Sequence, residues 1–368
     1  MTKPLLLFFE YKTNDSNNNE LNEQSHTRVI CCHSIYSQWA LYMDDHSPEV
    51  TTAIQATLMA SELCQRVRRD VAGGESILKG DRSPVTIADF GSQAIICQLL
   101  KKKFPNDVIV AEEDSSELRK PNHAKILGQV AHYVGDLIPD ASPEKVCSWI
   151  DYSSHTLPER FWTLDPIDGT KGFLRGDQYA IALALIEEGV VKLGLMVCPN
   201  LYLDKNQTQE KKGCLFLAME GKGSFQMDIQ RKNKQRLLVS KTKNPSEALF
   251  TESVEPDHAD HLFHQRLAQK LNIVKPSLRM DSQAKYGIVA RGEATLYLRV
   301  PSPSEPGYKE NIWDHAAGSI IAEEAGGKVT DTLGNPLDFM SGIRMERNHG
   351  ILATNGILHD VVLKALKM

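Results

Sequence analysis

Hydrophobic and polar positions fall into regular order only from Pro48 onward. Val50, Ile54, Leu58, Ser61 and Leu63 to Val67 recur at helical spacing, predicting an amphipathic helix that stops at Gly73-Gly74. Leu78 to Thr86 reads as a short extended segment. Thr86 then opens a second helix with Ile87, Ile95, Ile96, Leu99 and Leu100 on its apolar side, closed by Lys101-Lys102-Lys103 at the negative end of its dipole. Val108 to Ala111 is a short buried strand ending in Glu112-Glu113-Asp114. Residues 115–160 form a mixed connection with helix from about Pro121 to Gly135 and again around Ser142 to Ile150.

Phe161 to Leu164 reads as the end of a buried strand. Tyr179 to Leu185, Glu187-Glu188-Gly189 and Val190 to Val197 spell strand, turn and strand, closed by Pro199-Asn200. Leu215 to Ala218 and Gly223 to Gln226 continue an antiparallel meander. Composition turns Lys-, Arg-, Asn- and Gln-rich near 228–245, and this is the expected boundary between a lobe at 48–228 and a lobe at 229–368. Beyond it come a helix (His261 to Leu271), a strand (Ala294 to Val300), a loop (Pro301 to Gly307), a helix opened by Trp313-Asp314 and stopped at Gly326-Gly327, a strand (Lys328 to Thr330) and a last helix including Val361 to Leu366. Residues 1–47 differ: an apolar run, Pro4 to Phe9, precedes a polar tract, Thr13 to Glu23. The apolar run is too short for a secretory signal and the tract too acidic for a transit peptide, so a flexible extension is expected.

The chain has 368 residues, 41% of them hydrophobic, enough for a sizeable core in two lobes. A formal net charge of -5 and a pI near 6.2 provide no global attraction for nucleic acid. No apolar run reaches the roughly 18 residues that a membrane helix needs. Seven cysteines without a C-x-x-C suit a reducing, intracellular compartment, cytoplasmic or organellar, with neither a disulfide framework nor a zinc site.

Candidate chemistry concentrates in Trp162 to Phe173. Asp165 and Asp168 flank Pro166, and Gly169 and Thr170 follow, so the acids are expected on a sharp bend and not on a helix face. Two carboxylates with a hydroxyl behind them suit a hard divalent cation such as Mg2+. Asp, Pro and Gly also make ordinary turns, which leaves a plain turn open. A calcium loop is excluded. Counting from Asp165, its alternating positions fall on Ile167 and Gly169 and its closing position on Gly176, none with a suitable side chain. Further acids stand at element ends. Asp89, three residues after Thr86, is either a capping-box partner or a general base. Glu112 ends a strand, where such sheets place their ligands. Asp314 is either an N-cap or a ligand.

Taken in order, these pieces resemble the Mg2+-dependent, lithium-sensitive phosphomonoesterases of the inositol monophosphatase superfamily. The matching segments are Ser83 to Thr86 with Asp89, Ala111 to Asp114, Asp165 to Thr170, Trp313 to Gly318 and Glu324 to Gly327. Lys171-Gly172-Phe173, Asp281 to Gly287, Tyr297-Leu298-Arg299 and Lys309 to Asp314 look most like its 3′(2′),5′-bisphosphate nucleotidases. Asn311 stands where Lys is expected, and Asp114 where Ser is commoner. The resemblance implies a two-lobed, layered αβαβα sandwich of α+β and α/β character. It implies two to three Mg2+ ions held by Glu112, Asp165, Asp168, Asp314 and the Ile167 carbonyl, with Li+ inhibitory. Asp89 and Thr170 would orient and deprotonate the attacking water. Ser282, Lys285 and Arg299 would contact the phosphate that is not cleaved, and His261 the base or ribose. The implied substrate is adenosine 3′,5′-bisphosphate, with 3′-phosphoadenylyl sulfate second, acted on by a monomer with no membrane or nucleic-acid partner. The alternatives are an inositol polyphosphate 1-phosphatase and a catalytically silent nucleotide- or metal-binding regulator.

Overall fold

Ser47 caps the first helix: its Oγ accepts the Val50 N–H at 3.2 Å, and Pro48, which has no N–H to satisfy, takes the first helical position. The computed structural model describes residues 47–70, 76–78, 84–204, 212–255, 261–300 and 307–367. The extension read at 1–47 lies outside these residues but for Ser47. So do the Gly73-Gly74 stop and most of the loop from Pro301. Helix α1 (Pro48–Asp70) buries Val50, Ile54, Ser61, Leu63, Cys64 and Val67 of the predicted stripe, with Ala53, Ala56 and Ala60 beside them, while Leu58 is only half-buried. Two short strands, β1 (Ser76–Leu78) and β2 (Pro84–Thr86), pair in antiparallel register; residues 79–83 of the predicted extended segment lie outside the described residues.

Helix α2 (Ile87–Lys103) is buried from Ile87 through Cys97, polar residues included. It packs between α1, strand β4 (Arg160–Asp168) and two later helices, α3 (Ala124–Gly135) and α4 (Pro143–Ile150), so no face meets water in its first three turns. A seven-stranded sheet follows the order β3 (Val108–Ala111), β4, β5 (Ala180–Glu187), β6 (Val190–Tyr202), β7 (Lys212–Met219), β8 (Gly223–Asp228) and β9 (Gln235–Arg236). Only the β3–β4 pair is parallel. Strand β6 does not end at Pro199. It continues to Tyr202, because the ladder slips between Cys198 and Tyr202, where Pro199 need donate no hydrogen bond.

The second sheet has five strands in the order β11 (Leu278–Arg279), β10 (Phe250–Glu252), β12 (Leu296–Arg299), β14 (Ile351–Thr354) and β13 (Lys328–Thr330). Helices α7 (Ala284–Ala290) and α8 (Ala316–Glu324) fill the space between the sheets, touching β6 on one side and β14 on the other. Gly318 marks how closely they pack, since a Cβ there would lie 2.2 Å from the Tyr286 ring. Helices α6 (His261–Lys270) and α9 (His359–Leu366) cover the outer face of the second sheet with Leu267 and Val362, joined by Leu271 just past α6. The order of layers is therefore helix, sheet, helix, sheet, helix, the expected αβαβα sandwich.

Candidate active site

Strand β4 carries both central acids past the point where a bend was expected. Asp165 pairs with Ala182 and Asp168 with Ala180, so three steps on β4 oppose two on β5. The extra residue is a β-bulge, and Pro166 sits in it, where a missing N–H costs nothing. In a regular strand, side chains three apart point to opposite faces. The bulge cancels that alternation and turns Asp165 and Asp168 to one side. With Asp314 they place carboxylate oxygens within 4.8 Å of one another.

The turn continues into a short helix, α5 (Thr170–Arg175). Gly169 precedes it at φ 86°, a left-handed conformation that glycine adopts without strain. Thr170 Oγ1 therefore lies 3.1 Å from the Ile167 carbonyl and 3.3 Å from Asp89 Oδ1, with one proton to share between them. Asp89 serves both readings. Its Oδ2 accepts the Thr86 N–H at 2.8 Å and the Thr86 hydroxyl, completing the capping box of α2, while Oδ1 faces Thr170. The side chain is fully buried.

Glu112 follows β3, and its N–H donates to the Leu164 carbonyl, extending the parallel ladder by one step. The next residue is clamped from α2, since the Gln93 amide donates to the Glu113 carbonyl at 2.5 Å and accepts the Glu113 N–H at 3.0 Å. Asp314 is not an N-cap. It ends a single 3-10 turn, Ile312–Asp314, and its Oδ2 accepts the Asn311 N–H at 3.1 Å. His315 stands at the N-cap of α8.

Burial pushes the Asp165 carboxyl well above its ordinary range, and repulsion from Glu112, Asp168, Asp314 and Asp89 adds to it. Burial likewise raises Asp168 and Asp314, against the pull of Lys285 on the first and of Arg299 on both. Crowded like charges in a buried site are costly unless a cation neutralises them. The donors are all oxygens, and Ile167 presents a carbonyl with a second lone pair beyond the one facing Thr170. This set fits a hard divalent cation.

The remaining candidates separate. Lys285 is buried and donates to the carbonyls of Met280 (3.1 Å) and Ser282 (2.7 Å), with its ammonium over the Tyr297 ring. Burial lowers its pKa to about 8, partly opposed by Asp168. Ser282 adopts φ 70° and faces Gly169. Arg299 donates to Glu310 at 2.6 Å and to the Tyr308 hydroxyl at 3.3 Å. His261 is placed in a different group: its Nδ1 lies 3.4 Å from Glu252, which also accepts from His264 at 2.7 Å.

Three residues that hold the site were not singled out from sequence. Glu310 pairs with Arg299 and, at 3.1 Å, with His315, whose other ring nitrogen meets the Tyr286 hydroxyl at 2.9 Å. Burial alone would raise the Glu310 carboxyl, but Arg299 and His315 hold it down to about 2. Arg175 ties α5 to Asp281 at 2.6 Å and to Glu255. Gln283 donates its N–H to Asp168 Oδ2 at 2.5 Å. The only sequence signal for Glu310 and Gln283 was their place inside the family-like segments.

The sequence pattern of the inositol monophosphatase family matches residues 45–367. The chain belongs to that family. Among its relatives, a 3′(2′),5′-bisphosphate nucleotidase of Oryza sativa is 44% identical over 340 residues, covering 88% of this chain and 94% of that one. The 3′(2′),5′-bisphosphate nucleotidase 1 of Arabidopsis thaliana is 42% identical over 342 residues, covering 88% and 96%. The corresponding nucleotidase of Schizosaccharomyces pombe is 40% identical over 334 residues, covering 85% and 94%. Solved structures share the fold. The extragenic suppressor protein SuhB of Bartonella henselae superimposes with a TM-score of 0.60 at 23% identity, covering 87% of this chain and 99% of its own. An inositol monophosphatase of Thermotoga maritima gives 0.58 at 23%, covering 87% and 97%. No helix among the described residues is long and apolar enough to cross a membrane.

Proposed function

We propose that this chain is a Mg2+-dependent 3′(2′),5′-bisphosphate nucleotidase that hydrolyses the 3′-phosphate of adenosine 3′,5′-bisphosphate to AMP and phosphate, and also accepts 3′-phosphoadenylyl sulfate. The observation that carries the chemistry is the gathering of Asp165, Asp168 and Asp314 beside the Asp89–Thr170 contact. The substrate class is supported by relatives of that name at 40–44% identity. Bound Mg2+ would supply Lewis-acid stabilisation of phosphate charge, with Li+ competing for a site.

Glu112, Asp165, Asp168, Asp314 and the Ile167 carbonyl would hold the cations. Thr170 Oγ1 accepts a hydrogen bond from the attacking water while donating to Asp89 Oδ1, and the proton lost by water passes along this path to the Asp89 carboxylate. The water oxygen forms a bond to phosphorus in line with the ribose 3′-oxygen, whose P–O bond breaks; that oxygen takes a proton from solvent. Positioning and charge stabilisation suffice for phosphoryl transfer, and no phosphoenzyme is involved. Lys285 and Arg299 would supply the positive charge and Ser282 a hydroxyl for the phosphate that stays, and His261 would contact the base or ribose. Residues 48–228 contribute four of the acids and residues 229–368 contribute Asp314 and the phosphate contacts.

Phosphate release is measured side by side from adenosine 3′,5′-bisphosphate, inositol 1,4-bisphosphate and inositol 1-phosphate, with Mg2+, without it, and with added Li+. Preference for the nucleotide, lost without Mg2+ and suppressed by Li+, is the expected result. Preference for an inositol phosphate would retain the metal site and discard the nucleotide pocket. No turnover of any of the three, or full turnover by Asp168→Asn, would overturn the reading.

A further inference from the structure

Gln283 is 2% exposed and precedes helix α7. Its hydrogen bonds reach both halves of the acidic cluster. The backbone N–H donates to Asp168 Oδ2 at 2.5 Å. The side-chain Nε2 donates to the Trp313 carbonyl at 2.8 Å, and Oε1 accepts the Gly318 N–H at 3.1 Å. Trp313 and Gly318 bracket Asp314. One residue therefore fixes the carboxylate delivered by the β4 bulge and the backbone on either side of the carboxylate delivered by the turn Ile312–Asp314.

The side chain does what the local sequence leaves undone. Helix α8 begins without a side-chain cap of its own, because His315 at the N-cap is committed to Glu310 and Tyr286. The first-turn N–H groups of a helix lack intrahelical acceptors. Gln283 supplies one from the start of a different helix, to Gly318. The same amide must donate to the Trp313 carbonyl, which sets its orientation. A side chain of this length that offers a donor at one branch and an acceptor at the other is glutamine. The close seat of Tyr286 on Gly318 leaves α7 and α8 no room to shift past one another.

We infer that Gln283 is a positioning residue that sets the distance between the Asp168 and Asp314 carboxylates, and so the affinity of the site for its divalent cation. The inference rests on the metal site of the proposed function. Partners that orient metal ligands from behind typically contribute about 10- to 100-fold in metal affinity.

The test uses the full chain and Mg2+ alone. Calorimetric titration of the substrate-free protein gives the Mg2+ Kd for the unaltered chain, for Gln283→Met, which removes both side-chain bonds at similar volume, and for Gln283→Asn, which keeps the amide but shortens its reach. Thermal unfolding in chelator is measured in parallel. The expected result is a Kd raised about 10-fold or more in both variants, with the half-saturating Mg2+ for phosphate release raised in step and activity recovered at high Mg2+. An unchanged Kd in a folded variant, with only the unfolding temperature lowered, would overturn the inference and leave the metal site standing. If Gln283→Met does not fold, Gln283→Asn decides by the same criterion. If the unaltered chain itself binds no Mg2+, the proposed function fails first, and that is seen before any variant is compared.

Discussion

The Thr170 hydroxyl lies 3.3 Å from Asp89 Oδ1, joining the first turn of α5 to the first turn of α2 across 81 positions of sequence. The same Asp89 closes the capping box of its own helix with the other oxygen. Structural and chemical duties are thus divided between two oxygens of one carboxylate, and they can be separated by mutation. Asp89→Asn keeps an acceptor for Thr86 but loses the base. Its kcat should fall by about 10²- to 10⁴-fold, the usual range for general acid–base groups. Thr86→Ala should instead cost about 1 kcal/mol of stability. Steady-state kinetics and denaturant unfolding of the two variants check the division.

Neutralising an acid in the cluster should have opposite effects with and without metal. Burial and mutual repulsion disfavour the charged form of Asp165. Asp165→Asn should therefore unfold at a higher temperature than the unaltered chain in chelator, yet lose most of the stabilisation conferred by Mg2+ and nearly all turnover. Thermal scans in chelator and in excess Mg2+ measure this. A variant that is less stable in both would show that the cluster carries no net repulsion.

Ile167 is proposed to act through its carbonyl, and its side chain is fully buried. Ile167→Val should leave kcat and the Mg2+ requirement unchanged while costing about 0.5–1.5 kcal/mol of stability, as buried methyl deletions do. Equilibrium unfolding and a Mg2+ titration of activity distinguish the two effects.

Lys285 has a pKa lowered to about 8, chiefly by burial. Its charge should fade as pH rises through 8, so KM for the nucleotide should climb there with kcat little changed. Lys285→Met should show a high KM with that pH dependence removed. The sign for stability is opposite. The unfolded chain holds the proton up to the ordinary lysine pKa and the folded chain does not, so this group makes folding more favourable as pH rises from about 8 toward 10.5. KM–pH profiles of the two proteins provide the check.

In the Arg299–Glu310 pair the side chains are only 13% and 6% exposed, whereas Arg347–Asp338 has an arginine 78% exposed. Removing one partner of a buried pair strands the other charge. Glu310→Gln should cost about 3–5 kcal/mol, and Arg347→Ala at most about 1 kcal/mol. Urea unfolding of both variants tests the contrast.

Long periodic elements were readable one by one. The stripe of α1, the hairpin of β5 and β6, and the acids at element ends all declare themselves within a few residues. The short strands β9, β10, β11 and β14 did not, since two to four residues carry too little period to register. Helix α7 escaped because every residue from Ala284 to Ala290 is buried, leaving no polar face to mark its turn. Strand β6 was cut short at Pro199 because a ladder slip is a property of two strands, not of one.

The sequence by itself determined which groups are available: oxygen donors on a strand end, a hydroxyl after a glycine, caps at helix starts, and the family-like segments that carry them. These are local, governed by φ/ψ preference and by hydrogen bonds a few residues long. Only the tertiary structure decided which of them meet. The β4 bulge turned Asp165 and Asp168 to one side. Chain return brought Asp314 to them and Thr170 to Asp89, gave Arg299 to Glu310, and put His261 beside Glu252. Such contacts depend on long-range packing, where burial raises the cost of a lone charge and rewards a partner from anywhere in the chain.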